Sequence, residues 1–212
     1  TSFSIVGASW VYVSGAYAYV SSQNTDALYV VNISNPTNPV IVGSVSDATN
    51  LDGASSVYVA GKYAYVTHSN STNDGLRIID ISNPASPSIV GGITDSTNLN
   101  GAYSVEVSGR YAYVINTTDN SLRIIDISSS TAPSIVGGLK DNTNLQFAAG
   151  VFVSGKYAYV ANSGDDSLRI IDIGGIDAPS ANIGALQVSN LNLTENLTVA
   201  NNAYISNGLN VG

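Results

Sequence analysis

Aspartate is the residue type best placed to do chemistry in this chain, and it recurs in fixed surroundings. Asp47, Asp95 and Asp141 each open a stretch of the form DxTNL, and Asp26, Asp74, Asp119, Asp165 and Asp166 precede the apolar runs LYVVNI or LRIIDI. Carboxylates and amides gathered on one surface can chelate a divalent cation, hydrogen-bond sugar hydroxyls or hold a basic partner. Two carboxyl groups at a suitable separation could also hydrolyse a glycoside. The pairs Arg77/Asp80, Arg123/Asp126 and Arg169/Asp172 stand three apart, which puts them on opposite faces of a strand. They are expected to serve structure, with the aspartate tying the following turn through backbone donors. His68, the one histidine, lies in THSNSTND, reads as an exposed loop residue and has no counterpart in the other copies. With no cysteine, one histidine and no GxSxG, HExxH or phosphate-loop pattern, a nucleophilic triad or a histidine–zinc enzyme is nearly excluded. No catalytic residue and no metal ligand set is assigned. Calcium is the only cofactor these carboxylates would take, and no EF-hand spacing supports it.

The elements that position these residues are repeats. VYVSGAYAYV at 11–20 returns as VYVAGKYAYV at 57–66, VEVSGRYAYV at 105–114 and VFVSGKYAYV at 151–160, at intervals of 46, 48 and 46 residues. Each phrase reads as two strands around a tight glycine turn. A third strand follows in LYVVNI at 28–33 and LRIIDI at 76–81, 122–127 and 168–173. Pro-rich stops such as SNPTNP and SNPASP end it, because proline has no ladder donor. A fourth short strand comes next, VIVGS at 40–44 and SIVGG at 88–92 and 134–138. Four antiparallel strands in about 45 residues make one blade of a β-propeller, so the expected fold is all-β with four such blades. The blades fall near 8–53, 54–101, 102–147 and 148–180. FSIVG at 3–7 resembles a fourth strand without its first three. Two readings of it stay open: a ring closed by strand exchange between its ends, or upstream blades that have been cut away. The absence of methionine suggests a processed or excised chain.

In such a blade the loops between strands two and three share a face with the connectors between blades. Nine of the 15 acidic residues, all aspartates, gather on that face, while Lys62, Arg110 and Lys156 occupy the hairpin turns opposite. The repeated tyrosines, such as Tyr63 and Tyr65, are expected to pack between blades. Tyr103 and Phe147, in connectors, break the repeat near the acidic face and are the preferred aromatic contacts. The candidate ligand-binding residues are therefore Asp47, Asp95, Asp141, Tyr103, Phe147 and His68, although aspartates in turns commonly bond their own backbone instead.

YAYV followed by a polar turn and LRIIDISNPxxPxIVG resembles the LVIVD-repeat propellers of bacterial proteins across nearly all of residues 3–180. YAYVANSGDDSLRIIDI at 157–173 is also similar to the YVTN-type repeat of surface-layer propellers. The resemblance implies an exported or cell-surface propeller used for interaction and brings no catalytic residue with it. From Ala185 the pattern changes to LQVSN, LNLTEN, LTVANN, AYISNG and LNVG, a six-residue step expected to form a hexad-repeat β tail over 181–212. That tail resembles the interwoven trimeric shafts of phage and bacterial fibres, which implies a homotrimer through 185–212. The alternative is a linker to a further domain.

A net charge of −8 argues against nucleic acid as a partner, and no apolar run is long enough for membrane insertion by a helix. The function expected is a non-catalytic binding or adhesion module on a cell or virion surface, or in the extracellular space. Its propeller head would recognise a glycan or protein through the acidic loop face. The alternatives are a purely structural unit of a fibre, surface layer or virion, and a glycoside-acting enzyme.

Overall fold

Each repeat folds from a hairpin that its own residues dictate. Gly15, Gly61, Gly109 and Gly155 take φ values of 58°, 59°, 59° and 57° as the first residue of two-residue turns. Only glycine enters that region without steric cost, and such turns match the twist of the strands they join. In the computed structural model, which describes residues 4–70 and 72–174, these turns link β1 (Ala8–Ser14) to β2 (Tyr17–Ser22) and β5 (Ala54–Ala60) to β6 (Tyr63–His68). They also link β9 (Ala102–Ser108) to β10 (Tyr111–Asn116) and β13 (Ala148–Ser154) to β14 (Tyr157–Asn162).

Third strands β3 (Ala27–Asn32), β7 (Gly75–Asp80), β11 (Ser121–Asp126) and β15 (Ser167–Asp172) pair antiparallel with the second. Fourth strands β4 (Val40–Ser46), β8 (Ser88–Thr94) and β12 (Ser134–Lys140) complete three sheets, each a simple antiparallel meander. The last sheet has three strands among the described residues. The turn after each third strand is tied as its sequence suggests. Oδ1 of Asn32, Asp80 and Asp126 accepts the backbone N–H of Ser34, Ser82 and Ser128, each at 2.9 Å.

First strands adjoin one another in the order β1, β5, β9, β13, so they form the inner side of the arrangement. No comparable contact joins β13 back to β1 among the described residues. The core lies between blades. Tyr19, Leu28 and Val30 of the first blade pack on Val57, Val59 and Ala64 of the second. Tyr65, Leu76 and Ile78 pack in the same way on Val105, Val107 and Ala112, and Tyr113 and Leu122 on Val153 and Ala158. Every blade thus has a trailing face, built on strands two and three, and a leading face, built on strands one and two. Burying each of these leucines contributes about 1.5–3 kcal/mol. The outer strands also touch the next blade closely. A Cβ on Gly43 or Gly91 would lie 2.2 Å from the carbonyl oxygen of Pro84 or Ser130 in the following blade's turn.

Two expectations need correcting. Residues 4–7 of FSIVG form no strand. Ile5 accepts a backbone hydrogen bond from Ala8, as Leu51 does from Ala54 and Leu99 from Ala102. Gly7, at φ 70°, matches Gly53 at 67° and Gly101 at 75°. The segment is therefore the end of an inter-blade connector, and it mimics a strand because SIVG recurs at 88–91 and 134–137, where it is one. His68 is not an exposed loop residue: it closes β6, pairs in register with Gly75 and is fully buried. The expected hexad tail and its trimer, over 181–212, lie outside the described residues.

Candidate functional site

The two sets of loops expected on one face do meet. The connector residues Asp47, Asp95 and Asp141 donate backbone hydrogen bonds at 3.0 Å to the carbonyls of Asp26, Asp74 and Asn120 in the β2–β3, β6–β7 and β10–β11 loops. Asp26 Oδ1 and Asp74 Oδ2 accept the N–H groups of Gly53 and Gly101 at 3.1 and 3.0 Å. Arg77 and Arg123 reach up from their strands to donate to the connector carbonyls of Asn50 and Asn98, both at 3.0 Å. Nine aspartates meet four cations there, Arg77, Arg123, Arg169 and Lys140, and the face is net negative. Asp119 is held by Arg123 at 3.1 Å and by Lys140, and Asp165 by Arg169 at 2.5 Å.

The three candidate carboxylates Asp47, Asp95 and Asp141 do structural duty within that face. Asp47 accepts the N–H groups of Thr49 and Asn50 at 2.9 Å and the Asn50 side-chain amide at 2.8 Å. Asp95 repeats this with Thr97 and Asn98, and Asp141 with Thr143 and Asn144. Hydrogen bonds from the asparagine side chain, then from backbone, hold all three carboxyls below the usual range. Each fixes the helical-type turn whose leucine, Leu51, Leu99 or Leu145, plugs the core.

The aromatic candidates differ from these. Tyr103 is the second residue of β9 rather than part of a connector, and it is 39% exposed. Phe147 does lie in its connector, is 62% exposed, and adopts φ 49° where the other three repeats have Gly7, Gly53 and Gly101. Its N–H donates to Asn120 Oδ1 at 3.3 Å, and its carbonyl accepts Ser163 Oγ at 3.0 Å, so the backbone is pinned with the ring outward. His68 is not brought to this surface: burial first, then nearby Arg77, lowers its proton affinity to a pKa of about 4.

Sequence reasoning missed two residues. Trp10 stands where the other copies have Ser56, Ser104 and Gly150, and it walls a groove of about 310 Å³ with Ser104, Phe152, Tyr159 and Leu168. Glu106 occupies the β9 position held elsewhere by Tyr12, Tyr58 and Phe152, and burial pushes its carboxyl up to about 7. Both depart from the repeat, and that departure was the signal available. On the hairpin face every base is matched: Lys62 with Asp80 at 3.4 Å, Arg110 with Asp126, and Lys156 with Asp172 at 2.8 Å. Where the first blade has Ala16 it also has Asn32, so the base and its acid are lost together. Among the described residues no cluster of three or more acidic or histidine side chains could hold a metal ion. Among the described residues no helix is long and apolar enough to cross a membrane.

Solved structures share this architecture at low identity. A putative 6-phosphogluconolactonase from Bacteroides uniformis superposes with a TM-score of 0.64 at 16% identity, covering 77% of this chain and 49% of that one. The Pseudomonas aeruginosa periplasmic gluconolactonase PpgL gives 0.63 at 17%, covering 77% and 49%. The Cps50 (Swd1) β-propeller domain of Myceliophteria thermophila gives 0.60 at 12%, covering 79% and 54%. The chain thus spans about half the length of these structures. No curated protein matches it. The LVIVD repeat matches residues 7–47, 53–95, 101–141 and 147–184, so that most of the sequence is accounted for and the chain belongs to the LVIVD-repeat family, folded as blades of a β-propeller.

Proposed function

We propose that this protein is a non-catalytic binding module displayed on a cell or virion surface, whose acidic loop face recognises a glycan or protein ligand. The observation that carries the reading is Phe147. A large apolar side chain in the left-handed region costs about 1–2 kcal/mol where glycine would cost little, and here it is also turned to solvent. Packing gains nothing from either feature, whereas a contact surface uses the exposed ring. Beside it lie Asn120 and Ser163, whose amide and hydroxyl groups can hydrogen-bond hydroxyls or amides. Replacing Phe147 with glycine is expected to stabilise the fold by about 1 kcal/mol while abolishing ligand capture. A glycan microarray probed with the wild-type chain and with Phe147→Gly checks this. A glycan retained equally by both proteins would sink the assignment of the site.

A glycoside-acting or lactonase-like enzyme is the second reading, favoured only by Glu106. The gluconolactonase neighbours share the fold at 16–17% identity, which carries no activity to this chain. The eight described aspartates with a shifted proton affinity are all shifted downward, away from general-acid duty.

A further inference from the structure

The two ends of the row of blades expose the two halves of one missing core. On the trailing side of the fourth blade, Leu168 and Ile170 are 65% and 60% exposed, while their counterparts Leu28, Val30, Leu76 and Ile78 are all at 0%. On the leading side of the first blade, Val11 and Val13 are 56% and 57% exposed, against 1% and 6% for Val57 and Val59. Phe152, 61% exposed, stands where Tyr12 and Tyr58 pack between blades. Each open face is therefore the repeat-equivalent of a surface that, three times within the chain, mates with the other kind.

We infer that a second copy of this chain docks here, the trailing face of each fourth blade receiving the leading face of its partner's first blade. The first and fourth blades of one chain do not mate in this way, because Leu168 and Ile170 would then be covered. The arc matches about half of larger propellers, which fits two arcs sharing one ring. Two copies give eight blades, within the usual range for such rings, and one head-to-tail contact made twice closes with twofold symmetry. The inner groove beside Trp10 then becomes part of a closed channel lined by both copies.

Light scattering on residues 1–212 tests the proposal. The expected particle is twice the 21.8 kDa chain. Val13→Lys alone and Leu168→Glu alone are each expected to give monomers. An equimolar mixture of the two should restore the dimer, since one junction is wild type and the other pairs lysine with glutamate. Both substitutions fall on exposed side chains, and far-UV circular dichroism confirms that each variant folds. A wild-type monomer overturns the proposal, as does a dimer, trimer or larger assembly indifferent to both substitutions.

Discussion

At the scale of the residue, one buried and one half-buried titrating group oppose each other across the same pH range. His68 has its pKa lowered from 6.5 to about 4 by burial, so the unfolded chain binds that proton first and stability falls as pH drops through this window. Glu106 is raised from 4.5 to about 7, so the folded chain keeps its proton longer and stability falls as pH rises through nearly the same window. The wild-type melting temperature should therefore change little between pH 4.5 and 7. The variants expose the two effects. Glu106→Gln should gain melting temperature over wild type as pH rises, levelling off above pH 7. His68→Asn, which installs the residue found at 116 and 162, should lose its deficit as pH falls. Thermal melts at pH 4.5, 6 and 8 decide both, and a pH-independent difference for either variant would remove that group from the account.

At the scale of the element, the fold depends on outer strands that run hard against the neighbouring turn. Gly91→Ala would drive a methyl group into the carbonyl of Ser130, and the Gly91 backbone is fixed by pairing with Ile78. The expected loss is about 1–3 kcal/mol, read from urea unfolding. Gly61→Ala offers a control of another kind, because nothing lies within 4 Å of its Cβ and only its positive φ is offended. The strands were legible in the sequence because each apolar run, glycine turn and proline stop occurs several times, and repetition removes ambiguity. FSIVG misled because SIVG recurs at 88–91 and 134–137, where it opens β8 and β12, whereas at 4–7 the same residues end a connector. His68 misled because polar neighbours suggest a loop, whereas the strand runs on to meet Gly75, whose missing side chain admits the ring. For the site, the clustering of aspartates was legible but their use was not. Spacing alone does not say whether a carboxylate faces a ligand or its own turn, and the asparagine three residues on decides for the turn. Trp10 and Glu106 were visible as departures from the repeat, but the groove beside Trp10 and the burial of Glu106 appear only in the folded arrangement.

At the scale of the whole molecule, stability resides in contacts between neighbours, so the end blades are the weak ones. If association covers them, the melting temperature should rise with protein concentration for the wild type and stay constant for Val13→Lys, since whatever binds only the folded form stabilises it by mass action. Differential scanning fluorimetry over a hundredfold dilution reads this directly. The sameness of the junctions also bears on ancestry. Since the three junctions are built from equivalent residues, an unequal crossover that adds or deletes one 46- to 48-residue unit would join a trailing face to a leading face of the same kind. Such a lineage can change its number of blades in one step, without first passing through a misfolded intermediate.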